Sequence, residues 1–196
     1  MPFIAFLGCD GSGKSAVIAG VAVHLRNKGE SVDLGHWRPK PFSQQSTDTP
    51  TAADDPHGQP PRGALGSALK LAWLWLNWWV AWLQHIRKES SSGFVLFDRY
   101  HGDLLVDPRR YRYGGPMAIA RLAVRMMPQP DLVIFLDAPP ELLLSRKQEV
   151  GTEALAAARE EYLAFCRGNS RALLVDSSQP LASVIAEAVR AVESTT

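Results

Sequence analysis

The sequence predicts an α/β protein, a parallel sheet with helices on both faces, and three observations lead there. Short continuous apolar runs alternate with longer stretches whose apolar residues recur at helical spacing. The first apolar run leads straight into a glycine-rich turn and then a helical pattern. At 196 residues and 46% hydrophobic content, the chain can fill one core but has no room for a second domain. Unbroken apolar strands are buried on both faces, which requires parallel pairing between two helical layers.

Phe3 to Leu7 reads as the first buried strand. Lys14 to Lys28 follows as a helix, with Val17, Ile18, Val21, Ala22 and Leu25 on one face and Gly29 as its stop. Val32 to Leu34 is a short second strand. The stretch 39–63 holds Pro39, Pro41, Pro50, Pro56, Pro60 and Pro61 among polar residues and reads as a mobile loop, either a substrate lid or a plain insertion. Ala64 to Lys88 is helical, Phe94 to Phe97 a strand, and Met117 to Met127 a helix. Leu132 to Leu136 is the fourth strand, with helices at Glu141 to Gln148 and Glu153 to Arg167. Ala172 to Val175 is the fifth. Leu181, Val184, Ile185, Ala188, Val189 and Val192 close the chain on an amphipathic helix.

Chemistry concentrates in Gly8-Cys9-Asp10-Gly11-Ser12-Gly13-Lys14-Ser15, which fits G-x-x-x-x-G-K-[ST] at every fixed position and has the strand and helix that the motif needs. Gly11, Ser12 and Gly13 let backbone N–H groups turn inward around phosphate, and the helix N-terminus adds partial positive charge. Lys14 can reach the β- and γ-phosphates of a nucleotide, and the Ser15 hydroxyl can ligate magnesium. A second marker is Asp98-Arg99 at the end of the third strand. That position puts a carboxylate at the carboxyl edge of the sheet, where ligands bind in open α/β folds. Such an Asp can hold magnesium or orient an acceptor, and the Arg can neutralise a transferring phosphoryl group. A routine strand-end ion pair is the alternative.

These stretches resemble the thymidylate kinase family of P-loop phosphotransferases. The likeness rests on Gly8 to Ser15 with Asp10 inside the loop, Asp98-Arg99-Tyr100, the run from Pro130 to Glu141, Arg146 at the lid position, and Leu174 to Gln179. The resemblance implies a five-stranded parallel sheet in the order 2-3-1-4-5 with helices on both faces, ATP and Mg2+ as donor and cofactor, and a homodimer built partly on the third helix. Lys14, Asp98, Arg99 and Arg146 would then act in catalysis, with Ser15 and Asp98 at the metal. Asp10 would face the acceptor, with Arg99 and Tyr100 beside it. Arg146, or Lys147 one position on, would close over ATP. Asp176, Ser178 and Gln179 would border the adenine.

The sequence also departs from that family. The segment after the second strand is Gly35-His36-Trp37-Arg38-Pro39, where the family has an Arg-Glu-Pro-Gly-Gly type run. Asn77 or a neighbouring tryptophan stands where a third-helix arginine would hold the acceptor phosphate. The residues that read thymine in the family are replaced by 101–115, which carries Arg109, Arg110 and Arg112 interleaved with Tyr111 and Tyr113. Guanidinium forks bind phosphate or carboxylate, and tyrosine rings stack on sugars or bases, so Arg38, Arg109, Arg110 and Arg112 are expected at the acceptor. A solvated basic loop is the alternative. The 107–115 run is similar to thymidylate kinase-like chains associated with bacterial polysaccharide synthesis, which implies a glycan or sugar-phosphate acceptor. The expectation is therefore an ATP-dependent kinase acting on a small-molecule or glycan acceptor. Plain thymidylate kinase and a non-catalytic nucleotide-binding module are the competing readings.

Trp73, Trp75, Trp78, Trp79 and Trp82 crowd one helical segment. A helix apolar all round is buried or in lipid, and Lys70 and Asn77 interrupt any bilayer span. A core and dimer helix is expected, with peripheral membrane contact as the minority alternative. The net charge of +1 lacks the basic excess of a nucleic-acid binder. With Cys9 and Cys166 as its two cysteines and no signal peptide read at the N-terminus, a cytoplasmic protein with reduced thiols is expected.

Overall fold

The computed structural model describes residues 2–36, 62–83, 93–108, 111–146 and 151–195. Its elements run β1 (Phe3–Leu7), α1 (Lys14–Asn27), β2 (Val32–His36), α2 (Ala64–Ala81), β3 (Phe94–Asp98) and α3 (Asp103–Val106). Then follow α4 (Met117–Arg125), β4 (Leu132–Asp137), α5 (Pro140–Arg146), α6 (Thr152–Arg167), β5 (Ala172–Asp176) and α7 (Leu181–Glu193). The strands form one parallel sheet in the order β2-β3-β1-β4-β5, the order that the resemblance implies. Most of the expected 39–63 loop lies outside the described residues.

Period-two alternation divides the core. Ile4 and Phe6 of β1, Leu96 of β3 and Ile134 and Leu136 of β4 pack with Val17, Val21 and Leu25 of α1 and Val184, Ala188 and Val192 of α7. The opposite-pointing Phe3, Ala5, Val95 and Phe97 meet Trp78 and Ala81 of α2, while Leu7, Val133 and Phe135 meet α5 and α6. Phe3, Phe6 and Phe135 are fully buried, and each such side chain contributes about 1.5–3 kcal/mol of transfer free energy.

Register matters more for function than the core does. Phe6 pairs with Asp98 and with Ile134, and Asp137 pairs with Asp176, so the parallel strands all end on one side of the sheet, with Asp137 and Asp176 three residues beyond the level of Asp98. The glycine turn, Asp98-Arg99, Asp137 and Asp176 therefore share one edge.

The structure differs from the sequence expectation at α3, a single turn that periodicity does not reveal. On α2 the apolar surface is divided between two faces. Ser67, Leu71, Leu74, Trp78 and Ala81 face the core, whereas Leu65, Leu69, Trp73 and Leu76 on the other side are exposed. No helix among the described residues is long and apolar enough to cross a membrane.

Candidate active site

β1 ends at Leu7 and the chain wraps into the glycine turn before α1 begins at Lys14. Gly11 has φ 83°, and a Cβ there would lie 2.5 Å from the Leu143 carbonyl oxygen of α5, so only glycine fits. Gly13 caps α1 in the same left-handed region. The first N–H groups of α1 have no carbonyl within the helix to bind and point, with its positive dipole end, into the turn. Buried Lys14 lies across that turn, its Nζ donating to the carbonyls of Gly8 and Cys9 at 2.9 Å each and to Ser12 Oγ at 3.3 Å. Burial lowers its pKa to about 8, with Arg99 adding repulsion and Asp98 and Asp10 opposing. A cation held by neutral carbonyls in a desolvated turn gains from an arriving anion, which is how such a turn selects phosphate.

Ser15 Oγ donates to Asp98 Oδ2 at 3.4 Å, joining the first turn of α1 to the end of β3. Asp98 Oδ1 is buried and has no hydrogen-bond partner. A buried carboxylate oxygen without a donor is costly unless a ligand completes it. One hydroxyl and one carboxylate suit magnesium, which keeps several waters and takes phosphate oxygens for its remaining ligands. No group of three or more His, Cys, Asp or Glu among the described residues could hold a metal without such help. Ser15 and Asp98 therefore fit the expected ion.

Arg99 is held by the protein's own carboxylates. Its φ is 65°, a left-handed conformation uncommon outside glycine. Its guanidinium is nearly buried and split between two carboxylates: one nitrogen donates to Asp10 Oδ1, the other to Asp103 Oδ2 at 2.7 Å. Burial works against its charge, but Asp103, Tyr162 and Asp10 outweigh it and hold the pKa well above the ordinary arginine value. Tyr162 of α6 donates to Asp103 Oδ1, and Tyr111 donates to Oδ2 at 3.3 Å. Sequence reasoning missed Asp103 and Tyr162. The one available signal was the i,i+4 spacing of Arg99 and Asp103 across a turn.

At the other end of the edge, Arg146 closes α5 and donates to the Ser177 carbonyl at 3.2 Å. This joins the lid-position arginine to the β5–α7 turn. Within that turn the Asp176 carboxylate accepts from the Ser178 amide and hydroxyl and from Gln179, bonds that lower its pKa. The three expected adenine-bordering residues thus come together, with their polar groups turned onto one another. Arg159, not singled out from sequence, grips Asp137 with two bonds of 2.7 Å each.

On the acceptor side several expectations meet different surroundings. Tyr100 is buried against Phe3, Trp78, Phe97 and His101, with its hydroxyl donating to the Pro128 carbonyl. It is an aromatic core residue. His101 uses Nε2 on the same carbonyl, and burial lowers its pKa to about 3. Tyr111 and Tyr113, expected as stacking rings, lie in a buried cluster with Leu71, Leu104, Ala120 and Val124. The Arg112 carbonyl accepts from the Arg62 amide, and the Gly114 amide donates to Ser67 Oγ, which docks this loop on the start of α2. Asn77 donates to the Trp73 carbonyl one turn back. Arg38, Arg109, Arg110 and Lys147 lie outside the described residues.

No protein-family model matches the chain. Two curated proteins are similar to it. A thymidylate kinase of Dinoroseobacter shibae is 26% identical over 207 aligned positions, covering 95% of this chain and 93% of that protein. A probable thymidylate kinase 1 of Saccharolobus solfataricus is 27% identical over 124, covering 58% of this chain and 60% of its own length.

Proposed function

We propose that this thymidylate kinase-like chain transfers the γ-phosphoryl group of ATP to a small acceptor seated between Asp10 and Asp98. The observation that carries the reading is Lys14 lying across the glycine turn at the N-terminus of α1, one residue before a Ser15 hydroxyl that meets the half-unpartnered Asp98 carboxylate. In this reading the turn amides and Lys14 bind the donor phosphates, and Arg146 closes from the α5 side. Ser15 and Asp98 would hold Mg2+, which when bound neutralises charge on the donor phosphates. Asp98 also orients the acceptor, and Asp10, steadied by Arg99, lines the acceptor side. Catalysis then consists of positioning and charge neutralisation.

For the acceptor we favour a small molecule or glycan over thymidine monophosphate. Asn77 is bonded to its own helix and cannot form a charge-assisted fork on a phosphate, and Arg99 already carries two carboxylates. The names of both relatives favour a second reading, thymidine monophosphate itself. A screen with labelled ATP and magnesium over nucleotides, sugars, sugar phosphates and glycan termini tests both. Transfer to a sugar-type acceptor supports the first, and transfer to thymidine monophosphate alone supports the second. Binding of ATP with no transfer to any acceptor leaves only a nucleotide-binding module.

A homodimer through α2 belongs to the same proposal. Leu65, Leu69, Trp73 and Leu76 form an exposed apolar stripe at helical spacing, and the neighbouring α4 exposes Ile119, Leu122 and Met126. Apolar area of this kind on a charged protein suits a self-complementary interface. Peripheral membrane contact is the alternative. Sedimentation of the wild type and of Trp73→Glu, with and without lipid vesicles, separates the two.

A further inference from the structure

Asp103 is completely buried, yet it sits one turn beyond a strand end in the middle of the candidate site. A buried carboxylate persists only when its oxygens are hydrogen-bonded and its charge is paired. Here Oδ1 accepts from Tyr162, and Oδ2 accepts from Arg99 at 2.7 Å and from Tyr111 at 3.3 Å. Each partner comes from a different part of the fold. Tyr162 lies in α6, which follows the lid segment. Tyr111 anchors the loop that docks on α2. Arg99 passes the connection on, because its other terminal nitrogen grips Asp10 in the glycine turn. Arg99 also donates to Tyr162 at 3.3 Å, so the ring of bonds is closed. The left-handed backbone of Arg99 is costly for a residue with a Cβ and holds only where its surroundings fix it. Its backbone amide bonds Phe6 in β1, and its fork is fixed at both ends.

Resting on the phosphotransferase reading, we propose that Asp103 is a positioning residue: it sets the Arg99 fork so that Asp10 stays fixed at the glycine turn, and it ties that setting to α6 and to the acceptor-side loop. Without the Asp103 charge, the Arg99 fork is held at one end only, and Asp10, which it carries, is no longer held in a fixed place. The donor phosphates, held by Lys14 and the turn amides, are unaffected. The defect therefore falls on turnover and acceptor handling, while ATP affinity is kept.

Two measurements on the full-length protein test this. Urea unfolding of Asp10→Asn, Asp103→Asn and the double variant should give midpoint shifts that do not add, because the two carboxylates share Arg99. Additive shifts overturn the relay. ADP formation is then followed with magnesium ATP and with thymidine monophosphate, glucose and glucose 1-phosphate as acceptor probes, using the best of them for kinetics. Asp103→Asn should lower kcat by about 10²-fold, the cost of a misplaced group, with ATP affinity unchanged. Asp103→Glu, which keeps the charge, should restore part of it. Tyr162→Phe removes one bond to the carboxylate and should give a smaller loss of about tenfold, which keeps the test alive should Asp103→Asn not fold. Unchanged kcat in folded Asp103→Asn or Tyr162→Phe, with a lower melting temperature, means a structural role only and removes the proposal. A wild type that turns over neither these probes nor any acceptor of the wider screen removes the phosphotransferase reading and this role with it.

Discussion

On the donor side of the sheet edge, the chemistry lies in one contiguous stretch: Gly11, Gly13, Lys14 and Ser15 are neighbours in sequence and in space, and Asp98 reaches them across the β1–β3 pairing. On the proposed acceptor side, Asp10, Arg99, Asp103, Tyr111 and Tyr162 form one bonded group whose two longest links join residues 89 and 63 positions apart. The donor side keeps an amide-lined turn and a carboxylate oxygen available to a ligand. The acceptor side has its cation neutralised and its tyrosines buried. A phosphate-binding turn is a local solution to a fixed ligand, whereas an acceptor pocket is assembled from distant elements and can be rebuilt without disturbing the fold.

The sharpest way to break this comparison is Lys14→Ala. Removing the ammonium should cost about 10²-fold or more in phosphoryl transfer while circular dichroism and melting stay near wild type. Near-normal turnover would dissolve the donor side as described. Asp98→Asn comes next: kcat should fall by about 10²-fold and ATP affinity, read by calorimetry, should change much less, because the carboxylate acts on metal and acceptor in the transition state. A collapse of ATP binding with unchanged turnover would make Asp98 a donor-binding residue.

A smaller effect follows from Lys14 ionisation. Its pKa is lowered to about 8 by burial, and a bound anion raises it. The ammonium is therefore present in the free protein below pH 8 and lost above it, while the complex retains it. ATP affinity should hold between pH 6.5 and about 7.5 and then weaken by up to about tenfold per pH unit above 8. Lys14→Arg should abolish the weakening, since arginine stays charged. A flat profile in the wild type would mean that Lys14 does not titrate on binding.

The smallest effect sharpens the acceptor side. Tyr113 donates to the Pro116 carbonyl at 3.0 Å from within the α2–α4 cluster. Tyr113→Phe should cost about 1 kcal/mol of stability in urea and leave acceptor KM unchanged. A raised KM with full stability would return Tyr113 to the binding surface.

How far the sequence could be read follows the same division. The strands, the glycine turn and Asp98 were legible because each is written in a short local pattern: an apolar run, a fixed spacing, a strand-terminal carboxylate; the strand order came only from the family resemblance. Arg99 was legible as a residue, but the two carboxylates that share it were not, since nothing local announces the pair. Tyr162 and Arg159 were invisible for the same reason, because their partners come from other elements, and Asp103 offered only its i,i+4 spacing from Arg99. Tyr100, Tyr111 and Tyr113 show the opposite failure. Tyrosine beside arginine suggests a ligand surface, but packing under α2 and α4 gives the rings more buried contact than a solvent-facing loop would. The tryptophans of α2 read as a core and dimer helix, and the fold buries Trp78 while leaving Trp73 facing outward.

The central proposal is that a thymidylate kinase-like donor site serves an acceptor other than thymidylate. Saturation kinetics of the purified protein with magnesium ATP and thymidine monophosphate test it most directly. The expected result is kcat/KM for thymidine monophosphate at least about 10²-fold below that for the best acceptor in the screen, the discrimination that unpaired polar groups impose. Efficient, saturable phosphorylation of thymidine monophosphate, matching or exceeding every other acceptor, would contradict it.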